Sequence, residues 1–205
     1  EYLWFHGLAW RLEPRRLTDQ DRALDPNILE ANLLNEPQGF STTPQYGYKW
    51  RNIANPNVYF DENTSRLMIN YRSAFIRLAL YHSNVTKDKD KALSALDRME
   101  QLIPRKKVPM GWELASDIAS FYHRLDNDKK FNEIAAEIEP QCESVISSGQ
   151  VNMNSYYNPY RVLLEIYEIK KEYNKSLDLL KNLSAMYPND PGLKQRIVEV
   201  QTQVQ

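Results

Sequence analysis

From Glu62 to the C-terminus apolar residues recur three and four positions apart with few interruptions, whereas Glu1 to Asp61 mixes Pro, Asn and aromatic residues without sustained periodicity. A 3.6-residue period predicts amphipathic helices. Breaks at Pro104, Pro109, Asn127, Gly149, Pro188 and Pro191 divide the run into helices at about 62–84, 88–103, 109–126, 128–148, 156–171, 173–186 and 190–204. The change of texture sets a predicted boundary between an N-terminal extension, 1–61, and a helical domain, 62–205.

Within the extension, Leu3 to Leu12 carries aromatic and apolar residues suited to one or two short strands, closed by Pro14. A short helix is predicted over 26–35, with Asp25 as N-cap and Pro26 at its first position, where a missing N–H costs nothing. Pro37 to Pro44 reads as a loop, and Tyr46 to Phe60 as an aromatic extended segment interrupted by the turn residues Asn55-Pro56-Asn57.

The seven helices fall into pairs. Counting back from Pro188, Tyr160, Leu163, Leu164 and Tyr167 occupy a first helix, and Tyr173, Ser176, Leu180 and Leu183 a second, which matches the aromatic, small, bulky and apolar positions of the 34-residue tetratricopeptide unit. The same frame set back from Pro104 places Ala92, Leu96 and Met99, with a slightly enlarged turn over Ser83 to Asp88. Between them lies a degenerate unit in which Ala115, Ala119 and Tyr122 suit the first helix and Phe131, Ala135 and Ile138 a long second one. A small residue lets two helices approach while a bulky one fills the groove beside it. A single hairpin leaves its apolar face open, so stacked neighbours bury a continuous core. The last helix, with Leu193, Ile197, Val200 and Val204 opposed to Lys194, Arg196, Glu199 and Gln201, suits a cap. The expected fold is all-α: a right-handed tetratricopeptide-like repeat of about three helix-turn-helix units plus a terminal helix, preceded by an extension with short strands.

Charge narrows the function classes. A formal net charge of -1 with no basic stripe argues against nucleic acid as a partner. The single cysteine, Cys142, forms no intrachain disulfide, and apolar runs such as Phe75 to Tyr81 are far shorter than the roughly 20 residues of a membrane span. The abrupt start at Glu1-Tyr2-Leu3-Trp4-Phe5 reads as a soluble segment of a longer protein.

Gly7-Leu8-Ala9-Trp10-Arg11-Leu12-Glu13-Pro14, Tyr48-Lys49-Trp50-Arg51-Asn52, Asn57-Val58-Tyr59-Phe60-Asp61-Glu62-Asn63, Arg66 and Tyr71-Arg72-Ser73-Ala74-Phe75-Ile76-Arg77-Leu78-Ala79 carry a resemblance. The chain resembles the C-terminal soluble part of multi-pass bacterial membrane proteins, found mainly in the Bacteroidetes, of the protein O-mannosyltransferase-like glycosyltransferase type. The likeness is strongest between about residues 4 and 80 and generic through the repeats. It implies that transferase chemistry belongs to a membrane-embedded N-terminal part. This domain would then lie on the periplasmic face of the inner membrane as a non-catalytic accessory that binds an acceptor protein or partner subunit. The rival expectation is a soluble repeat scaffold unrelated to sugar transfer.

Local chemistry is sparse. His6, His82 and His123 are far apart and none has a metal-ligand spacing, so the sequence predicts no metal and no cofactor. Six scattered glycines build no phosphate loop or nucleophile elbow, and no catalytic residue is expected. Asp61/Glu62 read either as an acid–base pair on a glycoside or as an N-cap with an acidic first turn, and the cap is favoured. Arg105-Lys106-Lys107 is the one basic cluster, with anionic headgroups as its only candidate ligand. Tyr46, Tyr48, Trp50 and Tyr59, with Phe60, suit stacking on a peptide or a glycan, or else a small core pinning the extension to the first hairpin. Tyr156 and Tyr157 open a repeat and are expected to meet a peptide or partner helix on a concave face.

Overall fold

The computed structural model describes residues 2–14, 24–149, 151–153 and 155–204. The described chain is mainly helical, with one two-stranded antiparallel sheet near its start. It packs as two compact units, Glu1–Met110 and Gly111–Gln205, and the change of texture at Asp61 falls inside the first.

In the first unit, β1 (Leu3–Phe5) pairs with β2 (Trp10–Leu12), Trp4 opposite Arg11. Helix α1 (Pro26–Leu34) begins as its sequence dictates: the Asp25 side chain accepts from the N–H groups of Asn27 and Ile28, and Pro26 fills the first turn. It buries Leu29 and Leu33. Helix α2 (Glu62–Tyr81) is capped by Asp61, whose carboxylate accepts from the Thr64 N–H at 2.7 Å and is held below its usual pKa by hydrogen bonds from the Thr64 side chain and then its N–H. A π-helical turn, His82–Thr86, carries α2 into the left-handed Lys87 and the Asp88 cap of α3 (Lys89–Leu102). This turn is the physical form of the predicted enlargement. Lys87-Asp88-Lys89-Asp90-Lys91, a run of alternating charge, thus forms this turn and the first turn of α3.

The second unit contains α4 (Trp112–Arg124), α5 (Asp128–Ser147), α6 (Pro159–Ile169), α7 (Tyr173–Met186) and α8 (Pro191–Val204). Each packs on the next in sequence. Pro191 starts α8 rather than only breaking the chain before it. Pro140 lies inside α5, where it removes one backbone donor, and Gln141 Nε2 donates to the Glu137 carbonyl close by. Among the described residues no helix is long and apolar enough to cross a membrane.

The turns inside the hairpins repeat in detail. In α4–α5, the Asn127 N–H donates to Tyr122 O and the Asp126 N–H to His123 O; in α6–α7, Glu172 donates to Tyr167 O and Lys171 to Glu168 O. Asp126 and Lys171 both take the left-handed conformation, at φ 62° and 58°. Their equivalence sets a hairpin-to-hairpin spacing longer than 34 residues, because α5 and the loop after it are long. Left-handed backbone costs a residue with a Cβ about 1–2 kcal/mol. Lys171 is exposed. Lys171→Gly is accordingly expected to raise stability by about 0.5–1 kcal/mol after the added unfolded-chain entropy is subtracted. Urea unfolding checks this, and an unchanged or lowered midpoint would refute it.

The second helices share one burial frame. Counted from their caps, Ala92, Phe131 and Ser176 are equivalent, as are Leu96, Ala135 and Leu180, and then Met99, Ile138 and Leu183; all nine are buried. The outer two read small then bulky. The middle one reads bulky then small, an exchange that roughly conserves volume and accounts for its degenerate appearance. Helices α3 and α7 also end alike: Ile103 (φ −126°, ψ 69°) and Tyr187 (φ −127°, ψ 68°) each stand before a proline, which disfavours the helical conformation there.

Candidate functional site

The predicted ring set divides in the first unit. Trp50 is buried, and its indole lies 5.3 Å from the Tyr71 ring, 5.5 Å from Phe75 and 5.9 Å from Tyr48. Edge and tilted contacts of this kind place positive ring edges on negative faces. The Tyr48 hydroxyl accepts from the Leu8 N–H at 3.1 Å, so one side chain ties the β1–β2 hairpin to α2; burial holds its pKa above the ordinary tyrosine value. Tyr46 and Tyr59 stand apart from this cluster, 54% and 87% exposed. The structure thus brings Tyr48 and Trp50 together as packing and leaves Tyr46 and Tyr59 at the surface.

The residues around this cluster are committed to the same unit. Lys107 Nζ donates to the carbonyls of Pro56 and Val58 and lies 5.3 Å from the Phe60 ring, and Arg105 pairs with Glu100. Lys107 therefore braces the loop ahead of α2, and Arg105 is tied back to α3. Arg72, fully buried, donates from Nη2 to the carbonyls of Ile103 and Val108, and burial, reinforced by Arg105, lowers its pKa to about 10. Sequence reading passed over this arginine, since nothing local to Arg72 reveals carbonyls supplied from beyond α3.

In the second unit, Tyr156 and Tyr157 lead into α6. Tyr157 donates its hydroxyl to Asp117 Oδ2 on α4 at 2.6 Å, which pushes the phenol up to about 12, and its ring stands edge-on to Trp112 at 6.4 Å. Tyr157 is thereby fixed. Tyr156 packs edge-on against Tyr157 at 4.9 Å, carries the Arg161 guanidinium 5.5 Å from its ring centre, and remains 71% exposed. One tyrosine anchors the pair and the other is presented to solvent.

Beside them a cleft of about 420 Å³ is lined by Tyr160, Arg161, Leu164, Glu168, Leu183 and Arg196, among others. Its rim is braced by two pairs: Arg196 to Glu168 at 2.5 Å, joining α8 to α6, and Ser120 Oγ to Glu165 at 2.8 Å, joining α4 to α6. Side chains of both signs surround a partly apolar floor. Such a surface can seat an apolar side chain of a bound segment while the rim pairs with its charges. The cleft residues near Tyr156 were not part of the predicted site set, although Arg161, Leu164 and Glu168 lie on α6 at helical spacing from one another.

Asp61 acts as the cap that the sequence favoured, and His82 and His123 lie at the ends of α2 and α4. His82 is buried and its pKa is lowered, chiefly by burial. His6 is different. Although no spacing marks it, its ring meets Glu13 and Asp25, one ligand-capable atom of each lying within 4.8 Å of the others. Searches of known protein families, of curated proteins and of solved structures return no match for this chain.

Proposed function

We propose that this chain is a non-catalytic interaction domain whose helical hairpins are tetratricopeptide-like repeats, and that the second unit binds an extended segment of a partner protein along α6 and α8. The single observation that carries this reading is the pairing of the presented Tyr156–Arg161 couple with the adjoining cleft of about 420 Å³. The repeated turns and the shared burial frame support the repeat assignment. The ion pairs and ring contacts at the rim hold the surface in shape before a partner arrives, which lowers the ordering cost of binding.

The resemblance in residues 4–80 extends the proposal to an accessory domain of a membrane-bound glycosyltransferase-like protein, held on the periplasmic face and engaging an acceptor protein or partner subunit. A glycan on that acceptor is a second class of ligand, for which the exposed Tyr46 and Tyr59 offer open ring faces. A scaffold unrelated to sugar transfer uses the same helical surface. The upstream reading frame separates the two, since the first requires many apolar spans ahead of Glu1.

Panning a random peptide display library on the purified chain tests the binding surface. Enriched peptides are expected to lose about tenfold or more in affinity on Tyr156→Ala and on Arg161→Glu, with melting temperature little changed, because Tyr156 is largely exposed. No enrichment, or peptides indifferent to both substitutions, would overturn the proposal.

A further inference from the structure

We propose that His6, Glu13 and Asp25 bind a divalent transition-metal ion of the zinc class, with water completing its coordination. The three side chains come from three separate places in the chain: His6 follows β1, Glu13 follows β2 and Asp25 caps α1. They converge so that one ligand-capable atom of each lies within 4.8 Å of the other two. Each is partly shielded from solvent.

The contact between His6 and Glu13 is the informative one. His6 Nε2 and Glu13 Oε1 are 3.0 Å apart, yet Nε2 is buried and makes no aligned hydrogen bond. Ligands about 2.1 Å from a common tetrahedral ion stand roughly 3.4 Å from each other, so this pair already has nearly the separation of two first-shell ligands. An imidazole nitrogen beside two carboxylate oxygens suits zinc and its first-row neighbours, whereas calcium and magnesium prefer all-oxygen sites. Among the described residues, the cation packed on this hairpin, Arg77, stands over the rings of Phe5 and Trp10 at 4.9 and 5.7 Å instead.

The backbone around the cluster is fixed independently of any ion. Asp25 Oδ1 accepts from Asn27 and Ile28, which orients the carboxylate as an outer-shell hydrogen bond orients a metal ligand. The His6 carbonyl accepts from Asn32 Nδ2 of α1 at 2.8 Å, and its N–H donates to Ala9 O at 3.0 Å. An ion at this point ties the hairpin directly to α1.

Titration of the chelator-treated full chain with zinc in a calorimeter, and with cobalt(II) by visible absorption, is the test. One ion per chain is expected. His6→Gln and Glu13→Gln should each weaken uptake by about tenfold or more. Asp25→Asn, which retains the cap, should weaken it as well. His123→Gln, which removes the exposed histidine 2.6 Å from Asp128, should leave uptake unchanged. Absence of stoichiometric uptake overturns the proposal. So does uptake that survives both His6→Gln and Glu13→Gln in folded protein, or that depends on His123.

Discussion

Replacing Trp50 by alanine is expected to destabilise the first unit by about 3–5 kcal/mol, the range for truncating a large buried aromatic. The indole touches Tyr48, Tyr71 and Phe75, so its removal leaves a cavity bounded by three rings rather than a gap at the surface. Trp50→Phe should cost much less. It keeps most of the ring contact, and the buried indole Nε1 that it deletes has no hydrogen-bond partner to lose. Chemical unfolding of both variants, followed by near-ultraviolet circular dichroism, measures the difference. A stable Trp50→Ala protein would show that the extension is not held by this cluster.

The second large effect falls at Arg72. Arg72→Ala is expected to cost about 3 kcal/mol, combining a cavity with two buried carbonyls, those of Ile103 and Val108, deprived of their donor. Arg72→Met should recover part of this loss. Its side chain refills the volume and removes a buried guanidinium, which is costly to desolvate, while the carbonyls stay unpaired. Amide exchange offers a local readout: Lys107 and Val108, whose N–H groups donate to Pro104 O, should exchange faster in Arg72→Ala. Wild-type stability together with unchanged protection there would refute the assignment of Arg72 as the clasp of this loop.

Trp50, which the sequence picks out, and Arg72, which it does not, mark how far the sequence was readable. Helix positions, the Asp25 and Asp61 caps and the short strands within Leu3 to Leu12 follow from period and local chemistry, because each depends on residues close to each other in the chain. The small–bulky frame of α3 and α7 was legible for the same reason. In α5 the positions Phe131, Ala135 and Ile138 were legible too, but the unit looks degenerate because Phe131 and Ala135 exchange bulky and small while conserving volume. The sequence groups Tyr48 and Trp50 with Tyr46, Tyr59 and Phe60, but which of these rings face solvent depends on α2, which packs against Tyr48 and Trp50 from elsewhere in the chain. The clasp at Arg72 and the meeting of His6, Glu13 and Asp25 are long-range coincidences. No spacing announces them.

The lone cysteine gives this fold a clock. Cys142 is the chain's only thiol, it is buried in α5, and burial, with the nearby Glu113 and Glu143 carboxylates, pushes it up to about 12. At neutral pH it is therefore almost entirely the unreactive thiol, shielded from reagent as well as from water. Alkylation must wait for α5 to lift away from its neighbours, so the rate of labelling records how often that helix opens without any probe being introduced.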